Sequence, residues 1–178
     1  MSGERKAVLL LVEDGFEDME LMYPKYRLEE AGYKAVVAGP EAGKIYHGKH
    51  SYPCASDAAL KDVEEKEFVA IVLPGGWAPD KLRRIPKVKS LVAEFDKARK
   101  PVAAICHGGW MAISGGVYKG VRVTGSLGIK DDLINAGAIY SDEPVVVDRH
   151  FVSSRKVDDL PAFMSALLNQ LSNANSSK

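Results

Sequence analysis

The segment Cys106-His107-Gly108-Gly109 places a thiol, an imidazole and two residues without side chains in consecutive positions. A thiol beside an imidazole can supply a nucleophile and a proton shuttle for attack on an electrophilic carbon. The apolar run 101–105 precedes the cysteine and a helix-compatible stretch, 107–114, follows it. The thiol therefore falls at a sharp strand-to-helix turn, the position from which open α/β sheets present side chains to a ligand crevice. This is a nucleophile elbow with Cys where many hydrolases carry Ser. A helix amino terminus ahead of the sulfur favours thiolate over thiol, so a lowered thiol pKa is expected.

Two further turns bear on this chemistry. Pro74-Gly75-Gly76 ends the apolar run 69–73. Glycine at 75 and 76 permits close approach and positive φ, so the backbone N–H groups of Gly76 and His107 read as oxyanion donors. Taken alone, Pro-Gly-Gly is an ordinary tight turn. Glu17, just past the first apolar run, is the carboxylate singled out. Glu13, Asp14, Asp18 and Glu20 crowd the same segment, and composition does not choose among them. A first-turn acid is also what a helix dipole favours by itself. His107 serves either through its imidazole as a general base or only through its backbone N–H. His47, His50 and His150 have no metal-ligand spacing and read as scattered polar residues, so neither a metal nor a cofactor is expected.

The elements that must position these residues follow from periodicity and punctuation. Runs 7–12, 34–38, 69–73 and 101–105 read as buried strands. Helices are expected over 16–31, 85–99, 107–114, 129–136 and 160–171, with Pro24 either kinking the first or marking its real start. Residues 45–54 read as a small hairpin or loop with Gly48 at the turn, and 121–124 as extended. Segments 145–148 and 151–153 are expected to pair, and 172–178 to be a frayed polar tail. Strands alternating with helices imply an α/β fold with a mostly parallel sheet covered on both faces. Right-handed crossovers then bring turns 13–17, 74–76 and 106–109 to one edge.

The chain has 178 residues, read as a single domain spanning 1–178, with 46% hydrophobic residues. Lys+Arg and Asp+Glu both number 24, so charge gives no general attraction to nucleic acid or an anionic membrane. No apolar run approaches the roughly 18 residues of a membrane span. Residues 1–6 carry no signal-peptide pattern, and the cytoplasm is the expected compartment. Two cysteines do not make a disulfide framework, and Cys54 reads as a small buried hydrophobe. No phosphate-cradling glycine loop follows the first strand, where Glu13 and Asp14 would repel phosphate.

Four segments in this order carry a family resemblance: Phe16-Glu17-Asp18-Met19-Glu20, Leu73-Pro74-Gly75-Gly76-Trp77-Ala78-Pro79-Asp80, Ala104-Ile105-Cys106-His107-Gly108, and residues 128–137. The chain resembles the ThiJ/PfpI superfamily, specifically its PfpI branch of intracellular-protease-like proteins. The resemblance implies a flavodoxin-like three-layer α/β sandwich, similar to class I glutamine amidotransferases, with Cys106 as nucleophile. It implies that Glu17 hydrogen-bonds the sulfur as a protonated acid. It also implies a homo-oligomer, dimer or hexamer, in which Asp80 of a neighbouring subunit orients His107. Many relatives have Glu at position 80, Pro at Gly109 and an aromatic residue near Ser126. Here Trp77 and Trp110 supply the bulk near a pocket that Gly75, Gly108, Gly109 and Ser126 are expected to help line.

These readings converge on a cysteine-dependent enzyme acting on a small carbonyl compound or a peptide, with peptidase, glyoxalase and deglycase chemistry all described in the family. An oxidation-sensing stress protein or holding chaperone without turnover is the second reading. A plain binding module is the third, since fold alone does not specify function.

Overall fold

The computed structural model describes residues 5–176. In chain order the elements are β1 (Ala7–Leu11), α1 (Asp18–Glu30), β2 (Lys34–Gly39), β3 (Ile45–His47), β4 (Pro53–Ala55), β5 (Ala58–Ala59), β6 (Phe68–Leu73), α2 (Ala78–Leu82), α3 (Pro86–Lys97), β7 (Val102–Ile105), α4 (Gly109–Ser114), β8 (Arg122–Val123), α5 (Lys130–Asn135), β9 (Ile139–Tyr140), β10 (Val145–Asp148), β11 (Phe151–Ser154) and α6 (Leu160–Ser176). Seven strands form the main sheet in the order β10-β11-β7-β6-β1-β2-β5. All neighbours run parallel except the edge hairpin β10–β11. The five principal parallel strands thus follow the flavodoxin-like order, and the topological switch point lies between β1 and β6.

The chemistry of the strands explains their places. Val8, Leu9, Leu10 and Leu11 of β1 are all buried, as an uninterrupted apolar run must be when helices cover both faces of a sheet. Helix α3 buries Val88, Leu91, Val92 and Phe95, a stripe at helical spacing. Helix α6 buries Phe163, Met164, Leu167 and Leu171 and packs beside α1.

Several expectations are corrected. Helix α1 begins well before Pro24, which lies buried inside it rather than at its start. The polar segment expected to fray instead continues α6 as far as Ser176, while Ser177 and Lys178 lie outside the described residues. His150 is not a scattered polar residue. It is buried, its Nε2 lies 2.8 Å from Asp96 Oδ1 on α3, and its ring packs on Phe151. The helix α2 has no counterpart among the sequence expectations, because five residues following the Pro74-Gly75-Gly76 turn are too few to show periodicity.

The expected hairpin is present as β3–β4. Asp18, at the first position of α1, fastens its loop to the site edge. The Asp18 carboxylate accepts N–H donation from His50 and Tyr52, both at 2.9 Å. Burial alone would raise this carboxyl, but those donors hold it below the ordinary aspartate value. Asp18→Ala is therefore expected to destabilise the fold by ~1.5–3 kcal/mol in urea denaturation, the range for hydrogen bonds to a charged acceptor. Amide exchange should accelerate first at His50 and Tyr52.

Candidate active site

Three turns meet at the carboxyl edge of β1, β6 and β7. Phe16 and Gly76 form an isolated antiparallel bridge that locks the first turn to the second. Glu17 N–H donates to the Gly75 carbonyl at 3.1 Å, and Trp77 N–H donates to the Gly15 carbonyl at 2.7 Å. Gly76 has φ +81°, a conformation glycine adopts without strain. A Cβ at Gly75 would stand 2.7 Å from the Cys106 Cβ and would also overlap a carboxylate oxygen of Glu20. Only a residue without a side chain lets these chains approach so closely.

Cys106 follows β7 directly, with φ +59°, in the left-handed region that non-glycine residues rarely occupy. Such a conformation costs ~1–2 kcal/mol and persists only where surrounding structure over-determines it. It turns the thiol out of the strand direction toward the other two turns. The His107 Nδ1 lies 3.2 Å from the Cys106 Sγ, so the imidazole itself faces the thiol. The backbone N–H groups of His107 and Gly76 are directed at the sulfur. Ser126 N–H donates to the Cys106 carbonyl at 3.4 Å, and the Ser126 hydroxyl accepts from Gly128 N–H.

The acid behind the sulfur is Glu20, not Glu17. Glu20 is 1% exposed, receives the Gly75 N–H at 2.8 Å and hydrogen-bonds the Cys106 side chain. Glu17 instead faces the loop between β3 and β4, its side chain only 13% exposed, with Lys49 Nζ 3.6 Å and His50 Nε2 3.8 Å from its carboxylate. The reason is helical phase. Positions 20, 24 and 28 share the buried stripe of α1, whereas Glu17 precedes the helix. An acid on an otherwise apolar stripe was the signal that distinguishes Glu20 from its acidic neighbours.

Burial pushes the Glu20 carboxyl up to about 8, with the negative charge of Glu17 adding to the rise. The Cys106 thiol is pushed up to about 12, by burial first and then by the negative charge of Glu20, while the two backbone N–H groups pull it down. The net direction is therefore upward, against the expected lowering, although the backbone N–H groups of His107 and Gly76 still pull the thiol down. Cys106 itself opens a single 3-10 turn, Cys106–Gly108, that leads into α4, and its sulfur faces the buried carboxyl of Glu20. Below about pH 8 Glu20 keeps its proton, so its repulsion of a thiolate is absent and its O–H becomes a donor to sulfur. His107 is held below the ordinary histidine value by burial and then by the charge of Lys49. A neutral imidazole is the form that can accept the thiol proton.

The remaining expected site residues separate into two groups. Trp77 and Trp110 flank the His107 ring, with centroids 5.9 Å and 5.0 Å away, and Trp77 is 58% exposed. Trp110 is held by a 2.8 Å hydrogen bond from its Nε1 to Asp132. Gly108 and Gly109, expected to line the opening, are both buried. Gly109 lies against Ile129 and Leu133 of the core, since the turn must pass under the helix it starts. Asp80 pairs with Arg84 on the same chain, one helical turn away, rather than with His107 of this chain. Cys54 is a free, buried thiol in β4. Glu17, Asp18 and His50 could present three ligand atoms to one ion, but the Asp18 oxygens are already committed to the hairpin loop.

The fold and this edge define a flavodoxin-like α/β protein with a cysteine at a strained strand-to-turn bend, backed by a buried acid. The DJ-1/PfpI family model matches residues 6–170, and the chain belongs to that family. The chain is 46% identical over 164 residues to Deglycase TK1284 of Thermococcus kodakarensis, covering 92% of this chain and 98% of that protein. It is 44% identical over 166 residues to the putative cysteine protease YraA of Bacillus subtilis, covering 93% and 98%. A crystal structure of a two-domain protein from Anabaena variabilis, containing DJ-1/ThiJ/PfpI-like and ferritin-like domains, superposes with a TM-score of 0.92 at 39% identity. That match covers 94% of this chain and 48% of the other. Among the described residues no helix is long and apolar enough to cross a membrane.

Glu20 makes stability depend on pH with a definite sign. The folded chain keeps this proton to about pH 8, whereas the unfolded chain releases it near the ordinary glutamate value of 4.5. Between those values the folded state binds more protons, so stability falls as pH rises. His107, lowered in the folded state, contributes the opposite slope at the acid end of this window. Glu20→Gln should remove the downward contribution and leave that of His107. Thermal melting of both proteins from about pH 5 to about pH 8.5 should show the variant gaining on the wild type as pH rises. Parallel profiles would contradict a buried, proton-retaining Glu20.

Proposed function

We propose that this protein is a cysteine-nucleophile enzyme that acts on small electrophilic carbonyl compounds or their adducts, with glyoxalase and deglycase chemistry. The observation that carries this reading is the Cys106 sulfur itself. It is turned out by a strained bend, met by the His107 imidazole at 3.2 Å and faced by two backbone N–H groups. The deglycase and cysteine protease names among relatives of about 45% identity support an enzyme of this kind.

In this reading the thiol proton moves to His107 Nδ1 as the sulfur attacks the carbonyl carbon. The C–S bond forms, the carbonyl electron pair moves to oxygen, and the N–H groups of Gly76 and His107 receive the oxyanion. His107 returns its proton to that oxygen and leaves a hemithioacetal. For a 2-oxoaldehyde, the C1 proton is removed and returned to C2 through an enediol, and the C1 hydroxyl proton passes to the C2 oxygen as the C1 carbonyl forms, which gives the 2-hydroxy thioester. Water then releases a 2-hydroxy acid and restores the thiol. Protonated Glu20 keeps the sulfur's neighbour neutral while charge develops. Two tryptophans beside His107 suit a small substrate better than a long polypeptide.

A homo-oligomer belongs to the same proposal. Asp80 of a second copy would orient His107 once it exchanges its Arg84 partner for the imidazole, as the acid of a triad does. A cytoplasmic, single-domain protein without a resident cofactor is the corresponding setting. The same donors around the sulfur would also hold the oxygens of a sulfinic acid, which supports the oxidation-sensing reading as the alternative.

Conversion of methylglyoxal to lactate by wild type, Cys106→Ala, Glu20→Gln and Asp80→Asn tests the proposal. Cys106→Ala should lose at least about a hundredfold in kcat/KM, and Glu20→Gln about tenfold or more. Asp80→Asn should lower kcat without changing the fold. A fluorogenic peptide assayed in parallel decides between carbonyl and peptide substrates. Undiminished turnover by Cys106→Ala would end this reading.

A further inference from the structure

The loop between β3 and β4 brings a cation to the mouth of the site, and the mechanism above makes no use of it. Lys49 is anchored through its backbone, its N–H donating to the Phe16 carbonyl at 2.7 Å. Phe16 is the residue that bridges to Gly76, so the loop that carries Lys49 is tied directly to the turn that supplies an oxyanion donor. Asp18 holds the next part of the same loop through His50 and Tyr52. The ammonium lies over the ring of Trp77, 5.8 Å from its centroid, and Trp77 in turn flanks His107. Its nearest carboxylate oxygen, on Glu17, is 3.6 Å away, an ion-pair contact without a hydrogen bond. The side chain is 42% exposed. An ammonium carries three donors, and none of those of Lys49 is spent on a hydrogen bond to a described residue.

We propose that Lys49 is a specificity-determining residue that receives the carboxylate of a carbonyl adduct while Cys106 addresses its carbonyl carbon. This rests on the reading of Cys106 as nucleophile and deepens it by naming the substrate class: carbonyl compounds that carry a carboxylate, as adducts of free amino acids do. The position is suited to selection rather than to chemistry. Lys49 touches the aromatic wall and Glu17, not the sulfur. Its charge nonetheless acts on His107 and, against the stronger opposite charge of Glu17, on Glu20, so it lies within electrostatic reach of both groups that flank the sulfur. Overall charge cannot produce the same preference, because the chain is formally neutral.

Two alkylating probes of one leaving group read this field without requiring turnover. Iodoacetate carries a carboxylate and iodoacetamide does not. The ratio of their rates at Cys106, followed by mass spectrometry, cancels the thiolate fraction common to both. At low ionic strength Lys49→Met should lower the iodoacetate-to-iodoacetamide ratio by about three- to tenfold, as expected for one charge at partly screened range. Lys49→Arg should keep the ratio within about twofold of wild type. Lys81→Met removes an equal charge from α2, where the ammonium donates to the Asp14 carbonyl, and should leave the ratio unchanged. An unchanged ratio in Lys49→Met, or an equal fall in Lys81→Met, overturns the proposal. A second comparison uses the methylglyoxal hemithioacetals of N-acetylcysteine and of its neutral amide. Wild type should favour the carboxylated adduct in kcat/KM, and Lys49→Met should lose that preference. If wild type turns over neither adduct, the enzymatic reading fails, while the alkylation ratio still decides whether Lys49 receives an anion.

Discussion

The buried contact among Glu20, Gly75 and Cys106 is the constraint from which the rest of the site follows. A carboxyl group with almost no exposure must be neutral or well paired, and here it has one backbone donor and one thiol. That arrangement fixes the depth of α1 against the sheet, because its first turn delivers the carboxyl. It requires glycine at position 75, because any side chain there would occupy the space that oxygen and sulfur share. It also sets the character of the thiol, whose ease of ionisation depends on whether its neighbour carries a proton. A lone helix terminus would have made a permanently activated sulfur. A buried acid makes one whose state answers to its partner.

The sheet order explains why three separated segments can meet there. β1 runs between β2 and β6, and the chain reverses its direction of travel across the sheet at that point. The turns after β1, β6 and β7 therefore open side by side at the switch point. The Phe16–Gly76 bridge closes two of them into a miniature sheet of their own, outside the main one. Rigid positioning comes from backbone hydrogen bonds, which leaves the side chains of Lys49, Trp77 and His107 at the opening.

Much of this was legible before any coordinates, and the exceptions have physical causes. Uninterrupted apolar runs mark buried parallel strands, and those at 7–12, 69–73 and 101–105 coincide with β1, β6 and β7. The Cys-His-Gly-Gly turn was legible because glycine and a helix-compatible run leave few other structures. Composition does not choose among the five acids between 13 and 20, and the sulfur's partner is Glu20 rather than Glu17 because helical phase, set once Asp18 begins the helix, decides which acid is buried. The thiol's raised pKa was invisible for the same reason: it depends on a carboxyl that arrives from another element. The glycines at 108 and 109 looked like pocket lining, yet they serve close packing against Leu73 and Ile129. Asp96 and His150 are too distant in sequence for any local pattern to pair them. Helix α2 is a five-residue turn behind a proline and glycine cluster, too short to show periodicity.

The left-handed backbone at Cys106 reaches beyond local geometry into the history that such chains record. A cysteine there works against the conformational preference of its own peptide unit, and glycine would relieve that tension at once. A thiol kept at this position and a comfortable backbone thus pull in opposite directions at a single codon. Where a descendant is released from the first demand, drift at this site should run toward glycine. A chain of this architecture with glycine at the bend would mark a lineage that kept the scaffold and gave up the thiol.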